Sequence, residues 1–206
     1  MDIWEWVFQI RRDLRASGRA DVVDGINALP SAANGGEVDR ALAVASELVA
    51  HAQGLELPWL EVFARHWRLQ ALHLDARGAT TLAEATSLFE FAHRDDTERC
   101  PQSICATQDL CIAYSYTDGP GYARERVAVA TETLGRIDPS WPCWACLTCE
   151  LVDGLLDAGE VDEGAAELDR RVGAMLAAGE APSLPLERER AAVLLRQGRY
   201  DDEGSA

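Results

Sequence analysis

Apolar residues return every three to four positions along most of the chain, which is the period of an α-helix with one buried face. In the clearest segment, Ala41, Leu42, Ala45, Leu48 and Val49 fall on one side. No stretch of useful length alternates apolar and polar residues as a half-buried strand does. The pattern therefore predicts an all-α protein of about ten helices.

A turn of similar composition recurs along the chain and divides the helices into pairs. One bulky residue marks each turn: Val38, Leu82, Tyr122, Val161 and Tyr200. The intervals are 44, 40, 39 and 39 residues, and a fixed period of this size is typical of helical repeat proteins. Turns within a pair are short, whereas links between pairs are usually longer and contain proline. We therefore predict that residues 1–206 form a single domain of stacked helix hairpins.

The positions of these turns and prolines also predict the bounds of each helix and hairpin. The predicted elements are an N-terminal capping helix over 2–16, hairpins over 20–53, 58–94, 100–137 and 143–178, and a C-terminal helix with an incomplete hairpin over 184–206. Trp4 and Phe8 widen the apolar stripe of the capping helix. We expect the second helix to stop at Pro30, because proline has no backbone N–H to donate. The last turn, at Tyr200, leaves too few residues for another helix. We therefore expect the C-terminal helix either to cap the array or to leave an open end for another chain.

One hairpin carries an aromatic residue, a small residue and a leucine in its first helix, at Trp67, Ala71 and Leu74. Its second helix has a small residue and, four positions later, a bulky one, at Ala85 and Phe89. This spacing resembles that of the tetratricopeptide-repeat family, in a variant whose period is longer than the usual 34 residues. The resemblance covers about residues 20 to 200 and implies a right-handed α-solenoid of antiparallel helix hairpins.

A later hairpin repeats the small and bulky pair at Gly164 and Leu168, without the aromatic residue. A small residue at this point lets the two helices of a hairpin approach closely, and the bulky residue fills the space beside it. We therefore expect close helix packing at Gly164.

The resemblance implies a concave groove, lined by the first helix of each hairpin, that holds a peptide or a partner helix. The candidate groove residues are Arg65, Arg68, Asp75, Cys146, Cys149 and Arg188. The alternative for the charged members is an ordinary solvated face. The main expectation is thus an adaptor, regulatory or scaffold domain that binds a protein or peptide.

The formal charge of −16 excludes some classes of partner. Nucleic acid and anionic membrane surfaces require basic faces, and no apolar run approaches the ~20 residues of a membrane span. Asp2 and Glu5 interrupt the N-terminal apolar run, which does not resemble a signal peptide, so we predict a cytoplasmic protein. Acidity also suits a third class, an immunity or inhibitor-type protein that neutralises a basic partner.

The cysteines support a second hypothesis, a thiol-based metal-binding or redox protein. Cys143, Cys146 and Cys149 are three residues apart, so neighbouring thiolates lie one helical turn from each other and within reach of one metal ion. Cys143 also begins a helix, where the dipole lowers a thiol pKa. The alternative is that these are buried structural thiols, because cysteine packs as a small apolar residue.

Motifs that carry catalysis are missing from the sequence. There is no phosphate loop, nucleophile elbow or HExxH zinc motif. His66 and His73 are seven residues apart on one helix, and we interpret them as ordinary half-buried positions. The expectation is therefore a protein that is not an enzyme, with no catalytic residues and no cofactor, and whose open C-terminal end leaves room for a homodimer.

Overall fold

Ten α-helices and no strands occur in the residues described by the computed structural model, which are 2–75, 81–141, 143–181 and 183–199. The helices are α1 (Ile3–Ala16), α2 (Ala20–Asn34), α3 (Val38–Gly54), α4 (Pro58–Leu74), α5 (Leu82–Ala92), α6 (Ser103–Asp118), α7 (Ala123–Leu134), α8 (Trp144–Asp157), α9 (Val161–Ala177) and α10 (Leu184–Arg196). The all-α prediction is confirmed. The turn predicted at Tyr200 lies outside the described residues.

The chain divides into two compact units, Met1–Ala113 and Tyr114–Ala206, and the boundary falls within α6. The single-domain organisation stays a prediction. In the first unit, α2 packs against α1, α3 and α4, and α4 packs against α5. Its core is formed by large apolar side chains that are at most 1% exposed: Leu29, Leu48, Leu60, Phe63 and Leu69. A Cβ atom on Gly25 would lie 2.9 Å from Cδ2 of Leu48, so any larger residue where α2 approaches α3 would require the leucine side chain to shift.

In the second unit, α8 packs against α7, α9 and α10, and α9 also packs against α10. Two glycines allow the close approaches to α8. A Cβ atom on Gly154 would lie 3.0 Å from Cγ2 of Val127 on α7, and one on Gly164 would lie 3.3 Å from Cδ2 of Leu156. The close packing expected at Gly164 is therefore confirmed.

The turn between α8 and α9 closes through a glycine in the left-handed region, Gly159, with φ of 81°. The N–H of Glu160 donates to the carbonyl of Leu155 at 2.9 Å, and the N–H of Gly159 donates to that of Leu156 at 3.1 Å. These two bonds satisfy carbonyl groups that the end of α8 would leave unpaired. The Gly-containing turn predicted at Gly159 is thus a helix stop with a defined hydrogen-bond pattern.

Proline does not end α2, so the predicted stop at Pro30 is wrong. The helix continues to Asn34 with Pro30 inside it. The residues beyond the proline, Ala32 and Ala33, are fully buried. Their packing offsets the hydrogen bond that the proline removes from the helix.

The apolar face of α1 also differs from the prediction. Trp6, rather than Trp4 and Phe8, belongs to the core, where its ring centroid lies 6.2 Å from that of Trp59 and 6.0 Å from that of Phe63. Trp4 and Phe8 are 55% and 68% exposed. They lie one turn apart on the outer face of α1, because α4 receives the face that carries Trp6.

Candidate functional site

Two predicted groove residues of the first unit form hydrogen bonds with the second helix of their own hairpin. Nη2 of Arg65 donates to the hydroxyl of Ser87 at 2.8 Å, and Nε of Arg68 donates to Oε1 of Glu84 at 2.6 Å. Ser87 and Glu84 are on α5, so both arginines face the partner helix rather than an open side of α4. Asp75 is exposed at the C-terminal end of α4. A role of these three residues in partner binding stays a prediction.

A buried polar cluster joins α4 to α6 in the same unit. Nδ1 of His66 donates to Oδ2 of Asp109 at 2.8 Å, and Nε2 of Gln70 donates to the other carboxylate oxygen at 2.7 Å. Asp109 is fully buried and His66 is 5% exposed. His73, one turn beyond Gln70, lies 3.2 Å from the hydroxyl of Thr81 through Nε2, and burial lowers its pKa. The histidines predicted to be half-buried are therefore buried.

Two groove residues of the second unit meet in one cleft. Cys149 on α8 and Arg188 on α10 line a space of ≈ 360 Å³ between these helices. The remaining lining residues are Asp153, Pro185, Glu189 and Ala192. Cys146, the third predicted residue of this unit, is half-buried one turn before Cys149. The structure thus brings predicted residues together with two carboxyl groups that the sequence analysis missed.

Glu189 occupies a core position of α10. The buried residues of this helix are Leu186, Glu189 and Val193, whose spacings of three and four residues describe one helix face. The same face packs against α8, so the carboxyl group of Glu189 is carried inward and the residue is only 7% exposed. A glutamate within an apolar stripe was the available sequence signal.

Burial and like charge act together on the two carboxyl groups. Burial, and then the neighbouring carboxyl of Asp153, raise the pKa of Glu189 to about 8. Burial also raises the pKa of Asp153, and the charge of Asp157 adds to this while Arg126 opposes it. Two carboxylates this close do not both ionise easily. At neutral pH the Asp153 and Glu189 pair therefore holds a proton.

The buried arginine next to the cleft is already engaged. Arg126 is 1% exposed, and its Nη1 donates to Oδ2 of Asp157 at 2.6 Å while Nη2 donates to Oε2 of Glu150 at 3.3 Å. Nη2 of Arg196 lies 3.7 Å from the other oxygen of Asp157. Arg126 thus forms its short ion pairs with other carboxylates, so it neutralises the Asp153 and Glu189 pair only in part.

The three cysteines at the start of α8 and within it are not all thiols. Cys143 is disulfide-bonded, whereas Cys146 and Cys149 are thiols. Burial, followed by the charge of Glu189, raises the pKa of Cys149 well above its usual range, so this thiol stays protonated. Among the described residues, no three or more His, Cys, Asp or Glu side chains are grouped so that they could hold a metal ion.

Comparisons with protein-family models, with curated proteins and with solved structures give no significant match to this chain. Within the described ranges, no helix has both the length and the apolar character needed to cross a membrane. The chain's own residues favour the α8–α10 cleft as the functional site.

Proposed function

We propose that this chain is a protein-binding module of stacked helix hairpins, similar to tetratricopeptide repeats, and that it binds a basic protein or peptide through its first helices. The observation that carries the proposal is the α8–α10 cleft. There the predicted groove residues Cys149 and Arg188 meet the carboxyl groups of Asp153 and Glu189.

Helix contacts inside each unit support the stacked arrangement. In the predicted repeat, α2, α4, α6, α8 and α10 are the first helices of successive hairpins. In the first unit, α2 packs against α4, and the pair His66 and Asp109 joins α4 to α6. In the second unit, α8 packs against α10. Contacts between successive first helices are what a helical repeat requires, since each hairpin buries its apolar face on the next.

Charge supports a basic partner. The chain carries a formal charge of −16, which attracts a cationic surface over long distances and speeds its association. An immunity or inhibitor-type protein acting on a basic enzyme is a particular form of this proposal. The thiol-based alternative is less well supported, because a redox-active cysteine requires a lowered pKa and that of Cys149 is raised.

Quantitative co-purification tests the proposal. The full chain serves as bait in extract of its source cells, beside Asp153→Asn in the cleft and Glu163→Gln as the control. Glu163 is exposed on α9, so its replacement makes the same chemical change, from a carboxyl group to an amide, away from the cleft. We expect a basic protein to be retained by the wild-type chain and by Glu163→Gln, and to be reduced by about tenfold with Asp153→Asn.

Two results would contradict the proposal. One is the absence of any protein enriched by the wild-type bait over empty resin. The other is equal retention by all three baits, since it would place binding away from the cleft.

A further inference from the structure

One carboxylate oxygen in the α8–α10 cleft has no donor. Oε1 of Glu189 is buried and accepts no hydrogen bond from the described residues, and the residue lines the cleft. Leaving a buried acceptor without a partner costs about 1–3 kcal/mol. A hydrogen bond joins Glu189 to Asp153 while the pair holds its proton, and once that proton is lost both groups are acceptors only. The cleft therefore lacks a positively charged hydrogen-bond donor at a defined point.

We propose that the cleft binds one guanidinium group, the side chain of an arginine presented by the basic partner. This inference rests on the proposed function and specifies the group that the cleft recognises. A guanidinium offers five N–H donors in a planar fork, which suits two carboxyl groups better than a compact ammonium does. Pro185 and Ala192 provide apolar lining for the methylene groups of the incoming side chain.

The size of the cleft fits a single side chain. Its volume of ≈ 360 Å³ is at the lower end of small-ligand sites, which span about 300–1,000 Å³. A side chain with one charged end needs such a space, whereas a folded segment needs a larger surface. The partner's arginine would thus act as an anchor within a wider contact.

The charged and titratable groups that act on Glu189, lie beside it on α10, or pair with or act on one of these residues come from four helices. They are Arg126 on α7, Cys149, Glu150, Asp153 and Asp157 on α8, Asp169 on α9, and Arg188, Arg190 and Arg196 on α10. Arg126 and Arg190 are already in ion pairs, the latter with Asp169 at 2.9 Å. Exposed Arg188 is the basic residue that lines the cleft itself, and it opposes an incoming cation.

Binding is expected to release a proton. The carboxyl pair holds one proton at neutral pH, and the guanidinium displaces it to the buffer, because a nearby positive charge favours the ionised pair. Since the pKa of Glu189 is about 8, the affinity should rise by up to about tenfold per pH unit below pH 8 and level off above it. At a site whose carboxylates are already ionised, the affinity would not depend on pH near neutrality.

The test uses N-acetyl-arginine amide and its neutral analogue N-acetyl-citrulline amide, titrated into the full chain and followed by backbone NMR shifts. We expect saturable shifts at α8 and α10 with the arginine compound and none with citrulline. Glu189→Gln should weaken binding by about tenfold or more, as loss of a charge-assisted bond does. Arg188→Gln should strengthen it, and Glu163→Gln should leave it unchanged.

Several outcomes would overturn the inference. These are equal shifts with citrulline, unchanged affinity in Glu189→Gln, equally tight binding of N-acetyl-lysine amide, or affinity that does not change between pH 6 and pH 8. If the arginine compound fails while co-purification still depends on Asp153, the guanidinium assignment falls and the proposed function stands. If both fail, the proposed function falls as well.

Discussion

Replacing Glu189 by glutamine should stabilise the protein at neutral pH. The carboxyl group of Glu189 has a pKa of about 8 in the folded chain, against 4.5 as its ordinary value. Between these values the folded state keeps a proton that the unfolded chain has lost. The contribution of this group to stability is therefore fully present below pH 4.5, falls as the pH rises, and is lost once the pH passes about 8.

The size of this effect follows from the linkage between proton binding and folding. Each pH unit in the window changes the free energy of unfolding by about 1.4 kcal/mol. From pH 5 to pH 7 the wild-type chain should lose about 3 kcal/mol through Glu189, a large part of the stability of an ordinary domain. Glutamine has nearly the same shape and does not titrate, so Glu189→Gln should escape this loss.

Urea unfolding at pH 5, 6, 7 and 8 measures the difference. We expect Glu189→Gln and the wild-type chain to be about equal at pH 5, and the variant to be more stable by about 3 kcal/mol at pH 7. The control Glu163→Gln, at an exposed position of α9, should follow the wild-type curve. Parallel curves for Glu189→Gln and the wild-type chain would refute the reasoning, because the buried carboxyl would then titrate normally.

Three further predictions concern single residues. Arg126→Met keeps much of the side-chain volume but removes the buried cation that pairs with Asp157 and Glu150, so urea unfolding should show a loss of about 3–5 kcal/mol. Pro30→Ala restores a backbone N–H inside α2, and the same measurement should show a gain of about 2 kcal/mol. Burial raises the pKa of Cys100 to about 12, so iodoacetamide at pH 8 should alkylate this thiol only after urea is added, as mass spectrometry of the digested chain would reveal. Rapid native alkylation of Cys100, or unchanged stability in either variant, would count against the corresponding argument.

The helices were predictable because their signals are local. Glycine turns such as the one at Gly159, together with apolar residues at helical spacing, specify where α8 ends and α9 begins without reference to the rest of the fold. Pro30 is an exception for a tertiary reason. The local preference for a helix stop is outweighed by the burial of Ala32 and Ala33 beyond it.

The candidate site was only partly predictable. Cys149 and Arg188 were chosen because they lie on successive first helices, and the structure places both in the cleft. Asp153 and Glu189 were missed because acidic residues are common on helix surfaces. Burial raises the pKa of both groups, and like charge adds to it, from Asp153 on Glu189 and from Asp157 on Asp153. The spacing of residues along one helix does not reveal which residue of a neighbouring helix will pack against them.

The glycines at the helix contacts of the second unit have a consequence for cooperativity. Glycine inside a helix costs about 1 kcal/mol relative to alanine, and both α8 and α9 contain such a residue where they approach a neighbour, at Gly154 and Gly164. Each helix is therefore weakened in isolation by the residue that lets it pack closely. Helices of this kind gain most of their stability from packing, so α7, α8 and α9 should form and melt together, without separate fraying of each helix.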